Sequence, residues 1–382
     1  MSSNGWREVK LGDEIELLYG KGLVKSKRNE SGSIPVYGSN GPVGFHDEAL
    51  INKPGIIIGR KGTVGSINYS AGPFYPIDTT YYLNPKNNDL KFMYYFLQTL
   101  GLSNMNTHSA VPGLNRDNVY SLIRELPEFD EQKAIAATLS CLDDKIELNN
   151  RINKTLEEIA QAIFKSWFVD FEPFQDGEFE DSELGRIPKG WRVADLDNIA
   201  DYLNGLAMQK YRPESNEFLP VVKIKELNQG FTDENSDKAS INIPKQYVIQ
   251  DGDVIFSWSG TLMVKIWSGG IGGLNQHLFK VTSDKYDKWF YYLWTLKHLE
   301  RFRAIAKDKA TTMGHIKRSH LSESKVLIPK ESDMNMMNSF MNPVFTQIVE
   351  GSVQSGNLKA IRDSLLPKLM SGEIRVPIEE VQ

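Results

Sequence analysis

The sequence predicts an α+β fold: two mixed α/β modules, each followed by a long helix, with the helices pairing antiparallel and the halves related by a pseudo-two-fold repeat. Three observations predict it. The stretch "GWREVKLGDEI" near the start is echoed by "GWRVADLDNIA", with Trp191 standing 185 positions after Trp6. A second echo closes each module: "SAVPGLNRDNVYSLIRELP" (109–127) matches "ATTMGHIKRSHLSESKVLIP" (310–329), one residue longer. After each closing echo runs an apolar pattern spaced alternately by four and three, the mark of a helical seam.

A chain of 382 residues is too long for one ordinary core and suggests two or three domains. Its 40% hydrophobic, 24% charged and 10% aromatic residues describe a folded chain rather than a disordered or fibrous one. "MSSNGWREVK" has no apolar run, so no signal peptide is expected. No uncharged apolar stretch reaches the roughly 20 residues of a membrane helix. One cysteine, Cys141, allows no internal disulfide, and no Cys/His cluster has metal-ligand spacing. The expectation is a cytoplasmic, metal-free protein.

In chain order, the first module covers 1–126. It holds short β-type runs such as "GIIIG" and "DTTYYL", and its "GIIIGRKGTVGSI" (55–67) has a looser counterpart in "DVIFSWSGTLMVKI" (253–266). A helical region and linker follow over 127–183. Its seam runs Ile135, Leu139, Leu142, Ile146, Asn149, Asn153, Leu156, Ala160, Ile163 and Trp167. The linker's "VDFEPF" (169–174) loosely resembles an Asn/Asp-Pro-Pro-aromatic methyltransferase motif but lacks its first proline, and reads as helix-end chemistry. The second module covers 184–329, with runs "DVIFSW" and "HLFKV"; His298, on the helical "KWFYYLWTLKHL", reads as structural.

The second helical region covers 330–382. From Arg116 onward the two copies keep a constant offset of 202, which carries the first seam onto Met337, Met341, Val344, Ile348, Gly351, Ser355, Leu358, Arg362, Leu365 and Leu369. Each helix of about 38 residues would be about 57 Å long. Each must bury its stripe, and the matching stripe lies in the other half of the chain. Both seams turn polar or small at two central positions. An antiparallel pair in which those layers meet sets Asn149 against Ser355, Asn153 against Gly351 and Leu142 against Arg362, and places a module at either end. Buried polar seam residues fix register. The glycines of "EGSVQSGNLK" cost about 1 kcal/mol each in a helix, so a bend is expected there.

Net charge is −5, but it is unevenly spread. Residues 1–126 carry +2 and 187–329 carry +4, whereas 127–186 carry −9 and 330–382 carry −2. The modules are mildly basic and the helices acidic. Basic residues cluster in glycine-punctuated loops: "GKGLVKSKR" (20–28), "GRKGTVG" (59–65) and "NTHSAVPGLNR" (106–116) in the first module; "NGLAMQKYR" (204–212), "SWSGTL" (257–262) and "KDKATTMGHIKR" (307–318) in the second. These side chains bond phosphates and base edges, and glycine permits close approach to a duplex. One such loop is usually a solvated turn; six at matching places favour a nucleic-acid face. "GRKGTVGS" lacks the Gly-Lys-Ser/Thr ending of a phosphate-cradling loop. No nucleophile–base or carboxylate pair stands out, and the chain does not read as an enzyme.

Two variable modules, each ended by "LP" or "IP" and a long helix, resemble the specificity subunit of type I restriction–modification systems. The resemblance spans essentially the whole chain and rests most on "LPEFDEQKAIAATLSCLDDKIELNNRINKTLEEI" (126–159), "SELGRIPKGW" (182–191) and "LKAIRDSLLPKLMSGEIRV" (358–376). The Glu131-Gln132 pair is a family mark that the second copy, "IPKESDMNMM", lacks.

The resemblance implies that each module is a target recognition domain reading one half of an asymmetric bipartite double-stranded DNA sequence. It implies that the helical pair sets the gap and docks two methyltransferase subunits, which carry the S-adenosylmethionine, with restriction/translocase subunits joining them. No cofactor is expected in this chain. The DNA face expected in the first module comprises Lys21, Lys27, Arg60, Lys61, Thr63, Asn106, Thr107, His108, Ser109 and Arg116. In the second it comprises Lys210, Arg212, Ser257, Trp258, Ser259, Thr261, Lys309, Thr311, Thr312, His315 and Lys317. A stand-alone bipartite DNA-binding regulator is the alternative, and a self-sufficient methyltransferase a third.

Overall fold

The computed structural model describes residues 5–105, 113–308 and 314–377. The chain divides into two compact units, residues 1–144 with 359–382 and residues 145–358, so the division falls inside both long helices. Each unit holds one module and has its own core.

In the first unit, the strand Arg7–Lys10 pairs antiparallel with Ile123–Leu126, closing the module's two ends onto each other. Between them lies a four-stranded antiparallel sheet in the order Glu16–Tyr19, Thr80–Asn84, Gly55–Gly59, Ile67–Ser70. "GIIIG" is buried at every position, which explains its unbroken apolar run. The helix Leu90–Gln98, capped by Asp89 accepting from Phe92 N, packs Phe92, Met93 and Phe96 into the same core as Ile56 and Ile58.

The second unit repeats this plan. Arg192–Asp195 pairs with Lys325–Ile328, and a sheet of the same order runs Asp201–Asn204, Leu278–Thr282, Val254–Ser257, Met263–Ile266. Each module also has a small side sheet with one parallel pair, Ile34–Gly38 with Tyr75–Pro76 in the first and Leu219–Val222 with Gly272–Leu274 in the second. The duplication read from the two ends of each module therefore extends through its sheet.

The recurring tryptophan has a physical role. Trp6 is buried, and its indole N–H donates to Glu131 Oε2 at 3.1 Å in the first turns of the following helix. Arg375 Nη2 meets the same oxygen at 2.7 Å. Trp191 donates to Asp333 Oδ2 at 2.9 Å, and Asp333 stands at the 202 offset from Glu131. The second copy has lost the Glu-Gln pair by letter but keeps its acid, shortened by one methylene.

The long helices run Phe129–Phe168 and Glu331–Met370. The second continues as one helix through Gly351 and Gly356; burial of the seam outweighs the glycine cost. All the seam positions named above are buried or half-buried. Within the second unit the two helices face each other antiparallel: Asn153 Nδ2 donates to Ile348 O at 3.1 Å and Ser352 Oγ at 2.9 Å, and a Cβ on Gly351 would stand 2.6 Å from Asn153 Oδ1. Asn149 Nδ2 donates to Gln354 Oε1 at 2.8 Å, one position from Ser355. Within the first unit, Arg362 is paired not with Leu142 but with the adjacent Asp143, Nη1 to Oδ1 at 2.6 Å. A guanidinium in a seam needs a charged partner more than an apolar one.

"VDFEPF" ends the first helix. Phe171 adopts φ 53°, and with Phe174 it packs around Trp191 at ring distances of 5.9 and 5.1 Å. His298 Nε2–H donates to Lys325 O, 2.9 Å away, and burial lowers its pKa, as suits a structural imidazole.

Candidate nucleic-acid interface

In the first module the strand Gly55–Gly59 runs straight into the loop Arg60–Thr63. Gly62, at φ 79°, turns the chain there, a conformation that favours glycine. Lys61 forms an antiparallel bridge with Gly113, and Leu114 N donates to Arg60 O at 2.9 Å. Two loops distant in sequence are thereby joined along one rim.

Side chains gather over that bridge. Arg60 Nη2 donates to Asp78 O at 2.6 Å, and its guanidinium lies 5.3 Å from the Tyr19 ring and 5.9 Å from Tyr81. Arg116 approaches Tyr19 at 5.4 Å. Such cation–ring contacts hold guanidinium groups without neutralising them. Tyr81 donates to Leu114 O at 3.1 Å, pinning the second loop, and burial pushes its pKa up to about 12, so it stays a donor. Tyr19 is 52% exposed, which makes it the outer wall of the cluster.

The second module builds the same frame from different residues. Ser259 bridges His315, Ile316 N donates to Trp258 O at 3.1 Å, and Gly260 turns the chain at φ 64°. Trp258 donates its indole N–H to Asn204 Oδ1 at 2.9 Å and packs 5.7 Å from Phe279. Arg318 lies 5.9 Å from the Phe279 ring and donates to Tyr202 O at 2.6 Å. Strand register makes the equivalences explicit: Tyr19 pairs with Tyr81 as Asn204 pairs with Phe279. Arg60 and Trp258 each follow the strand next to that pair, and Arg116 and Arg318 share the 202 offset.

Of the residues expected from sequence, Lys21, Lys27, Lys61, Thr63, Arg116, Lys210, Arg212, Thr261, His315 and Lys317 are exposed, and Arg60 and Trp258 are half-buried. No contact brings Lys21, Lys27, Lys210 or Arg212 into the clusters among the described residues. Ser257 and Ser259 require correction. Both are buried; Ser257 Oγ donates to Ser259 O at 3.2 Å, and Ser259 Oγ bonds His277 Nδ1 at 3.1 Å, so they build the loop and do not line a surface. Asn106, Thr107, His108, Ser109, Lys309, Thr311 and Thr312 lie outside the described residues.

Sequence reasoning missed Tyr19, Tyr81, Asn204, Phe279 and Arg318. Aromatic residues in β-type runs read as core, and Tyr81 and Phe279 are in fact buried. The signal that could have found Tyr19 is small: it directly precedes Gly20 as Asn204 precedes Gly205.

Among the described residues no group of three or more His, Cys, Asp or Glu could hold a metal ion. Nor is any helix among them long and apolar enough to cross a membrane.

Two modules of one topology, with unlike side chains at matching rim positions, define a duplicated recognition protein. The family model for the type I restriction modification DNA specificity domain matches residues 3–158 and 188–351, and the chain belongs to that family of specificity subunits. It is 30% identical over 342 residues to the type I restriction enzyme MjaIX specificity subunit of Methanocaldococcus jannaschii, covering 86% of this chain and 79% of the relative. To the HindI specificity subunit of Haemophilus influenzae it is 25% identical over 328 residues, covering 69% and 71%. The crystal structure of a type I restriction–modification S subunit from M. genitalium matches with a TM-score of 0.64 at 16% identity, over 97% of each chain, a likeness of fold.

Proposed function

We propose that this chain is the non-catalytic DNA-reading subunit of a type I restriction–modification complex. Each module reads one half of an asymmetric bipartite double-stranded target. The helical pair sets the separation of the halves and docks two methyltransferase subunits, to which S-adenosylmethionine belongs; restriction/translocase subunits complete the assembly. One observation carries the reading: the rim positions 19, 60 and 81 of the first module and their equivalents 204, 258 and 279 share a backbone frame while differing in chemistry. Two copies of one frame with unlike side chains suit a target with two unlike halves.

The test is selection from a library of random duplexes by the chain reconstituted with its methyltransferase partner. Two short, different motifs at a fixed separation support the reading. A palindrome, a single motif or no enrichment overturns it. Recovery of no methyltransferase with the chain from its host would favour a stand-alone regulator.

A further inference from the structure

The two modules can be used as controls for each other. If both hold duplex DNA in the same frame, groups gripping the sugar–phosphate backbone can be the same in both, because that backbone is the same in every half-site. Groups reading base edges must differ wherever the half-sites differ. The equivalences fixed by the strand register sort the exposed rim accordingly. Thr63 and Thr261 are the same residue, each after a glycine of positive φ, and Arg116 and Arg318 are the same residue, each beside an aromatic ring of the sheet. Arg60 and Lys61 are replaced by Trp258 and a buried Ser259.

On the reading proposed above, we infer that Arg60 and Lys61 read bases in the first half-site and Trp258 reads them in the second, while Thr63, Thr261, Arg116 and Arg318 hold phosphate in both. The chemistry narrows what is read. Arginine and lysine offer donors and no acceptor, so they match an edge carrying only acceptors. In the major groove the edge with two acceptors is guanine, with O6 and N7. Arg60 is pre-organised for this contact. Its Nη2 is tied to Asp78 O at 2.6 Å and the guanidinium is flanked by two tyrosine rings, which leaves Nη1 directed by a fixed plane.

Trp258 has one donor, and Asn204 Oδ1 takes it. What remains is an apolar ring surface, held in place by Phe279 and suited to the thymine methyl group. The first half-site therefore contains a guanine under Arg60 and Lys61, and the second a thymine under Trp258. Tyr19 and Asn204 are positioning residues, acting through Arg60 and Trp258 respectively.

The experiment titrates the reconstituted complex against its enriched duplex and against duplexes with single base-pair changes, at several salt concentrations. Arg60→Ala should lower discrimination for guanine in the first half-site by about ten- to hundred-fold and leave the second half-site unchanged. Trp258→Ala should do the reverse, relaxing only the thymine. Arg116→Ala should weaken binding to every duplex alike and reduce the salt dependence by about one counterion. Arg60→Lys and Trp258→Phe guard against misfolding, since each keeps the chemistry invoked and should retain the same preferred base.

An altered motif from Arg116→Ala, or an intact one from Arg60→Ala or Trp258→Ala, overturns the assignment. So does a wild-type motif with no guanine in the first half or no thymine in the second. Failure of the functional reading itself looks different, because the wild-type complex then enriches no bipartite motif at all.

Discussion

Trp6 and Glu131 tie the first strand of the chain to the helix that follows its module, and the strength of that tie can be measured. The indole N–H lies 3.1 Å from Glu131 Oε2, Trp6 is 5% exposed and the Glu131 carboxylate is also buried. Trp6→Phe keeps most of the ring and deletes the N–H; Glu131 retains Arg375, so the cost is about 1 kcal/mol, one hydrogen bond. Glu131→Ala is worse. It removes the acceptor that the buried indole N–H meets at 3.1 Å, at about 1–3 kcal/mol. It also removes the ion pair that Glu131 makes with the half-exposed Arg375, which adds only about 1 kcal/mol or less. The double variant lacks both the indole donor and its carboxylate acceptor and should be more stable than the two single losses imply, by a coupling of about 1–2 kcal/mol. Urea unfolding of the four proteins, with hydrogen exchange at the strand Arg7–Lys10 to localise the effect, supplies the cycle. A coupling within about 0.3 kcal/mol of zero would refute the argument. The equivalent cycle at Trp191 and Asp333 should show a similar coupling but a smaller loss from Asp333→Ala, because the cation beside Asp333 is the exposed Lys330 at 3.8 Å, in place of an arginine at 2.7 Å.

Other expectations are specific enough to fail. Gly351→Ala raises helix propensity by about 1 kcal/mol, yet the new Cβ meets Asn153 Oδ1 at 2.6 Å and displaces an amide that makes two hydrogen bonds. The net result should be a lower Tm, recovered in part by adding Asn153→Ala; a raised Tm in the single variant would contradict the contact. His298 is held neutral by burial, with its pKa below the ordinary value. Its contribution is present above the unfolded value near pH 6.5 and is lost as pH falls below it, so His298→Phe should flatten that part of a stability–pH curve. Glu14 is held below the usual carboxylate range, first by its hydrogen bond from Arg7, at 2.6 Å. That contribution is present above the ordinary carboxylate value and is lost as pH falls through the lowered one; Arg7→Ala should weaken Glu14's part of the dependence below about pH 4.5, with Asn88 and Lys86 still in place, and leave the histidine region untouched.

The long helices were legible because a four-three apolar spacing sustained over about five heptads matches a helical seam and not a strand. Even their polar layer was placed within one residue, since Asn153 meets Gly351 as its spacing requires. Asn149 shows that a seam position does not by itself fix a hydrogen bond: its amide donates to Gln354, next to Ser355. The sheets were far less legible. Their strands are mostly four or five residues long, and the offset between copies moves from 185 at Trp6 to 202 at Arg116, so the middle of each module cannot be aligned by counting. The bridges Lys61 to Gly113 and Ser259 to His315 supply the missing register. Loop composition could not separate a buried serine from an exposed one: Ser257 and Ser259 carry the same letters a DNA face would use, and are buried within the loop.

The central claim is that each module reads its own half of the target. The measurement that tests it most directly replaces residues 1–126 with the corresponding module of a relative and repeats the random-duplex selection with the reconstituted complex. One half of the motif should change while the other half stays the same. Change in both halves, or in neither, would contradict it.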